Sequence, residues 1–331
     1  MELASRDLAA LGAAELVRAS AAIPRAAPRT FALLTACLVF PLSFAVLAHS
    51  LFTHPILLRL QRGGADDSEP RQWLALFAYQ FLYLLVLFTF SLLSTAAAVF
   101  TVASLYAAKP ASISSSLAAL PPILPRLMRT FLWVSLLMLA YHLLFALAVL
   151  LLLLAVAPDT QSSPPSLSFL LFLTLLVFLF LGIHVYISAL WHLASVVSVL
   201  EPLCGLAAMA KSRHLLQGRT ATASTLVVSY FALCGLTSLL FRAAVVKGSA
   251  EPGSLGLALP GRLLVGAVLV CVLVCVNLLG LLVQSVFYYA CKAFHNQQID
   301  RAALYEHLGG YLGEYVPLKS NIQMENLETG A

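Results

Sequence analysis

The sequence predicts an all-α polytopic membrane bundle of six transmembrane helices, with interfacial amphipathic helices after spans two and four. Three observations carry that prediction. Of the 331 residues, 61% are hydrophobic and only 10% are charged, where a soluble domain has about 25% charged residues. Six stretches contain no Asp, Glu, Lys or Arg: 30–58, 73–108, 130–158, 166–200, 220–241 and 263–291. Each exceeds the roughly 18–20 apolar residues that a helix needs to cross about 30 Å of hydrocarbon. The stretches are apolar all round, without the alternation of a membrane barrel strand, which leaves helices to satisfy the backbone in lipid.

Residues 1–29 are predicted to form a cytosolic amphipathic segment on the inner leaflet, with Leu8, Leu11 and Leu16 on its apolar side ahead of Pro24 and Pro28. These residues lack the apolar core of a cleavable signal and carry Glu2, Asp7 and Glu15 among arginines, so span one is expected to act as the insertion signal. Pro41 predicts a kink in span one. His49 and His54 lie at its far end, read as interfacial filler. Spans two and four are long enough to tilt strongly or project from the bilayer, since at about 1.5 Å per residue each would exceed about 50 Å. Ser91, Ser94, Ala98 and Thr101 recur at helical spacing in span two and predict a close helix crossing.

The cytosolic ends of spans two and four resemble each other. "FTVASLYAAKP" and "HLASVVSVLEP" each reach a proline and pass into a short segment ending in basic residues, an internal pseudo-repeat of span, interfacial helix and span. The second of these helices is predicted to begin just after Glu201, with Pro202 in its first turn, and to stop at Gly218. Gly205, Ala208 and Ser212 form a small-residue stripe that lets a neighbour approach closely; Lys211, Arg213, His214 and Gln217 occupy the other side. Residues 30–291 make up the membrane domain and 292–331 a cytosolic tail.

Orientation follows from the basic residues. Of 19 Lys and Arg, 13 fall in the amino-terminal segment, the second and fourth connections and the tail, and 6 in the remaining connections. The positive-inside rule then places both termini in the cytosol. This asymmetry accounts for the net charge of +5 and leaves no call for a nucleic-acid partner. The six cysteines lie in or beside the spans without disulfide or zinc spacing; Cys291, next to Lys292, is a juxtamembrane site open to palmitoylation. None of the asparagines begins an Asn-x-Ser/Thr acceptor.

The runs "TFALLTACLVFPLSFAVLAHSLFTHP", "TFLWVSLLMLAY", "ALWHLASVVSVLEPLCGLAAMAKSRHLLQGRT" and "LLVQSVFYYACKAFHNQQIDRAALYEHLGGYLGEYVPLKSNIQMENL" resemble a family of plant six-span membrane proteins of unknown function. The similarity covers nearly the whole chain. More loosely, Glu201, Gly205, Ala208, Ser212, Leu216, Gly218 and Arg219 are similar to a pattern in bacterial integral-membrane domains, including those attached to glycerophosphodiester phosphodiesterases. That resemblance implies an architecture and transfers no catalytic residue, because the phosphodiesterase chemistry belongs to a separate soluble domain.

Polar residues inside the spans mark the candidate sites. His184, Ser188 and His192 share an arc of span four, and Asn277 and Gln284 an arc of span six. If these arcs face one another, they form a polar seam, either as interhelical hydrogen bonds or as a path for a small molecule. No carboxylate lies in any span, and His184 and His192 are eight apart, which does not suit a helical zinc site. No metal or other cofactor is expected. The sequence predicts a non-enzymatic protein; an intramembrane serine protease using His142, His184 or His192 is the exception left open, without a Gly-x-Ser-x-Gly to support it.

Lys211, Arg213 and Arg219 are the candidate contacts to anionic headgroups, although three basic residues fall short of the 4–8 of a typical lipid cluster. In the tail, Tyr305 with Leu308 and Tyr315 with Leu318 match tyrosine-based sorting motifs, while Tyr305, Leu308, Tyr311, Leu312 and Tyr315 recur at the spacing of a short amphipathic helix packed on the bundle. The expected function is organisation of lipids or protein partners at the cytosolic face of the endomembrane system or plasma membrane. The alternative is a small-molecule transporter using the seam between spans four and six.

Overall fold

A computed structural model of the chain describes residues 5–62, 70–109, 112–156, 167–247, 255–297 and 308–310. Among these the fold is all-helical. Helices α1 (Ser5–Ala10) and α2 (Ala13–Ala22) precede α3 (Pro28–Leu34), which passes through a wide π turn, Thr35–Val39, into α4 (Phe40–Arg62). There follow α5 (Pro70–Tyr106), the short α6 (Ile113–Ala118), α7 (Leu120–Val156), α8 (Leu167–Leu200), α9 (Leu206–Leu216), α10 (Thr220–Phe241) and α11 (Leu259–Phe294). Among the described residues six rods are long and apolar enough to cross a membrane: Pro28–Ile56, Trp73–Tyr106, Leu120–Leu154, Leu167–Leu200, Thr220–Val246 and Leu259–Phe294.

The expected distortion in the first rod lies just before Pro41. A proline has no N–H to return to the preceding turn, and the chain widens there: the Phe40 N–H reaches the carbonyl of Thr35, five residues back. In the second connection, where an interfacial helix ending near Arg129 was expected, only α6 is separate. Leu120 onward already belongs to α7, because Pro121 and Pro122 fall in its first turn, where a missing N–H is tolerated. The other connecting helix, α9, starts four residues later than the sequence suggests. Gly205 adopts a left-handed φ of 59° and stops any helical path from Pro202. At the far end Gly218, with φ 79°, turns the chain into α10 as expected.

Packing is concentrated at one end of the bundle. The buried residues of α5 cluster in 94–103 and those of α8 in 185–200, and α11 is almost continuously buried over 282–293, with a sparser buried stripe at 266–277. Tyr106 and Tyr289 stack there with ring centroids 4.5 Å apart, and Thr130 Oγ1 lies 2.7 Å from Ser198 Oγ. The small stripe of α9 does admit a close neighbour: Ala208 and Ser212 are buried, and Ser212 Oγ donates to the carbonyl of Leu190 in α8 at 2.9 Å. In span two Ser94, Ala98 and Thr101 are buried, and Thr101 Oγ1 pairs with Ser116 of α6 at 2.9 Å. At the opposite end, His49 is an interhelical link rather than filler, its Nε2 lying 2.9 Å from Gln80 Oε1 of α5.

The far halves of α7 and α8 are different. Leu143, Leu147, Leu151, Leu171, Leu175 and Leu179 are exposed, and the most apolar window of the third rod contains no buried residue. An exposed apolar surface of this extent marks a lipid or partner contact.

The amino-terminal segment packs on the protein. Leu8 and Leu16 are buried, with α1 and α2 against α11. Arg219 fixes this arrangement through its guanidinium, which donates to the carbonyls of Ala9 and Leu11 and lies over the rings of Phe287 and Phe294. Leu308 is also buried in the core, so the described beginning and end of the chain join the same cluster.

Candidate ligand cavity

A cavity of about 270 Å³ lies between α5, α8, α10 and α11. Small residues make room for it: Ser91 and Ser94 from α5, Ala189 and Ser195 from α8, Ala223 from α10 and Gly280 from α11 all line it. Aromatic rings supply much of the wall, among them Phe131, Trp191, Tyr230, Phe231 and Phe287. Among the described residues, no Asp, Glu, Lys or Arg lines the cavity.

Three of the five seam residues line this space. His192 Nδ1 lies 3.1 Å from Gln284 Oε1, the direct meeting of α8 and α11 that the sequence suggested. Asn277 is engaged elsewhere: its Nδ2 donates to Ser43 Oγ of α4 at 2.8 Å, and its Oδ1 accepts from Tyr230 of α10 at 2.8 Å. Asn277 therefore ties three helices together. Ser43 and Tyr230 were not recognised in the sequence, where the signal was a lone polar group in an apolar rod.

His184 and Ser188 diverge from His192. The His184 ring lies 5.6 Å from His142 and 5.5 Å from Phe231, toward α7 and α10. Its buried Nδ1 has no hydrogen-bond partner, and neither has the buried Oγ of Ser188. Ser195 Oγ donates to the carbonyl of His192, and Ser198 Oγ pairs with Thr130. None of these three hydroxyls is bonded to an imidazole, as a serine–histidine dyad would require.

Gln284 stands out chemically. The residue is 8% exposed, its Oε1 is taken up by His192, and its fully buried Nε2 has no partner. A buried amide N–H without a partner costs about 1–3 kcal/mol.

At the packed end beyond the cavity, Glu201 accepts from the Tyr288 hydroxyl at 2.6 Å and from Lys292 Nζ at 3.1 Å. Burial pushes the Glu201 carboxyl up, but the Tyr288 hydroxyl, the Lys292 ammonium and the Lys211 charge together outweigh it and hold the group below the usual glutamate value. Lys211 donates to Gln297 Oε1 at 3.3 Å. Of the three candidate headgroup contacts, Arg213 is exposed and Lys211 half-buried. Arg219 is 6% exposed and committed to the amino-terminal carbonyls, which corrects its placement among the headgroup contacts. Tyr305, Tyr315 and Leu318 lie outside the described residues, whereas Leu308 is fully buried. Among the described residues no group of three or more His, Cys, Asp or Glu side chains is placed to hold a metal.

A family model described as a domain of unknown function (DUF8558) matches residues 1–327. No curated protein and no solved structure matches the chain.

Proposed function

Since the chain belongs to the DUF8558 family over nearly its whole length, we propose that this member is a multi-pass integral membrane protein that takes a small molecule into the interior of its bundle, as a carrier or transporter does. The observation that carries the reading is the cavity itself, where His192, Asn277 and Gln284 line an otherwise largely apolar space. Interior polar groups in membrane bundles default to functional readings when they line a space.

Six apolar rods and the exposed leucines of α7 and α8 support insertion in a bilayer. In this reading residues 30–291 form the six-span domain, 1–29 and 292–331 are cytosolic, and the protein resides in the endomembrane system or plasma membrane. The likeness to plant six-span proteins fits the same topology. The positive-inside bias and the convergence of the described chain ends on one end of the bundle both favour a shared side for the termini.

A second reading, organisation of lipids or partner proteins at the cytosolic face, rests on the exposed Arg213 and His214 of α9. One experiment separates the two. Full-length protein carrying His192→Leu with Gln284→Leu, and protein carrying Lys211→Glu with Arg213→Glu, are compared for uptake of candidate solutes into proteoliposomes and for binding to anionic vesicles. The cavity reading expects the first pair to abolish uptake and the second to leave it intact. Loss of vesicle binding in the second pair, with uptake absent even in the unmodified protein, would favour the surface reading.

A further inference from the structure

We infer that the groove between the first rod and α11 holds one acyl chain of an anionic phospholipid, whose phosphate sits against Arg25. Such a site rests on the reading that the rods span a bilayer; it is separate from the cavity beside His192 and from the basic face of α9.

The first rod and α11 meet where the π turn Thr35–Val39 packs on α11. Beside that contact the small residues Ala32, Thr35 and Ala36 leave a groove of about 600 Å³, which Val274 and Leu278 of α11 also line. That volume falls inside the range of about 300–1,000 Å³ usual for small-molecule sites. Ala32, Ala36 and Phe40 remain exposed, so the groove opens on the outer surface of the bundle, where lipid lies in a membrane. Among the described residues its lining is apolar except for Thr35 at the turn and Arg25 at one end.

Depth matches a single leaflet. The lining residues of the first rod run from Pro28 to Phe40, about 18 Å at about 1.5 Å per residue. Half of a hydrocarbon core of about 30 Å is about 15 Å. The charges place the two ends accordingly. Arg25 and Arg29 stand just outside the charge-free run 30–58, whereas Val274 and Leu278 lie near the middle of the run 263–291. The groove therefore leads from the water boundary to the bilayer midplane, the depth that one acyl chain covers.

Charge selects the headgroup. Arg25 and, one turn further on, Arg29 are exposed, and neither is in an ion pair among the described residues. No Asp or Glu occurs within 16–65 or within 259–294, so neither wall carries a carboxylate that competes with a phosphate. A guanidinium meets phosphate through paired, charge-assisted hydrogen bonds. A zwitterionic lipid brings a second, cationic group for which these walls have no partner, and an anionic lipid does not.

The test uses full-length protein in nanodiscs doped with a photoreactive phosphatidylglycerol or a photoreactive phosphatidylcholine, both with the same acyl chain bearing a mid-chain diazirine. Labelled peptides covering 28–44 and 271–280 report the groove, and those covering 143–154, exposed and apolar, serve as the reference. The expected result is that the glycerol lipid labels the groove peptides about fivefold more than the choline lipid, as one arginine at an anionic headgroup predicts, with no such preference at 143–154. Arg25→Gln should bring the ratio at the groove down toward that of the reference. Ala36→Phe, at an exposed position, should fill the groove and lower labelling there by both lipids. The lipid ratio is read on the unmodified protein, so it decides the matter even where a variant fails to accumulate. Equal labelling of the groove peptides by the two lipids overturns recognition of the headgroup by Arg25. Labelling of 143–154 without the groove peptides, or labelling unchanged in Ala36→Phe, overturns the acyl site and leaves the bilayer reading standing. No labelling of any rod by either lipid overturns both.

Discussion

The guanidinium of Arg219 donates to the backbone carbonyl of Ala9, 210 positions earlier in the chain, and also to that of Leu11. The two carbonyls belong to the break between α1 and α2, where the backbone has acceptors that no helix satisfies. One buried cation thereby ties the amino-terminal segment to the start of α10.

Replacing Arg219 with Ala leaves both carbonyls without this donor and removes the ring contacts to Phe287 and Phe294. The expected cost is about 2–4 kcal/mol, read as a lower melting temperature in detergent and faster proteolysis within residues 1–30. Lys restores the charge but not the fork that reaches two acceptors, so its rescue should be partial. Unchanged melting and proteolysis of the Ala variant would show that the segment is held by other contacts.

Glu201 predicts a pH dependence. Its folded carboxyl lies below the ordinary glutamate value of 4.5, so the folded state favours the ionised form. The stabilisation is present above the ordinary value and disappears as pH falls through the lower, folded one. A melting profile of the native protein should decline over that acidic window, and that of Glu201→Gln should be lower at neutral pH and flatter as acid is added. Parallel profiles for the two proteins would remove Glu201 from the account.

Two glycines should respond oppositely to alanine. Gly218 has φ 79°, and a Cβ there would come within 2.7 Å of the Phe294 ring. Gly218→Ala therefore combines left-handed strain of about 1–2 kcal/mol with a displaced ring. Gly235 lies within α10, where an added Cβ meets nothing within 4 Å. Gly235→Ala should be neutral or stabilising by up to about 1 kcal/mol. Thermal melting of the two single variants checks both signs.

Asn277 should couple energetically to Tyr230. Removing either side of the 2.8 Å bond by Asn277→Leu or Tyr230→Phe is expected to destabilise the bundle, with the Leu variant worse because Ser43 also loses its donor. A double-mutant cycle in detergent should give a coupling near the average of about 0.6 kcal/mol for interhelical hydrogen bonds and below about 1.7 kcal/mol. Strict additivity would mean that the two side chains act independently.

Much of the architecture was legible because hydrophobic length is a local property. A run such as 220–241 has no charge for its whole length and reappears as α10 with the same bounds, Thr220–Phe241. The pairing of His192 with Gln284 was also within reach, since both are isolated polar residues in apolar rods. His184 and Ser188 misled because helical spacing places them on the same broad arc as His192, whereas the facing helices divide that arc between α7, α10 and α11. Arg219 misled for a related reason. A basic residue at the end of a span resembles a headgroup contact until a distant backbone segment is found in contact with it.

Composition and the order of charges were enough to specify six apolar rods, the alternation of basic connections and the small-residue face of α9, because burial in an apolar medium acts on each segment separately. Only the folded arrangement brought Ser43, Tyr230 and Asn277 together, formed the cavity beside His192 and Gln284, and put Ala9 against Arg219. Those contacts join residues tens to hundreds of positions apart. They depend on helix rotation and depth, which side-chain packing across the whole bundle sets and no local pattern encodes.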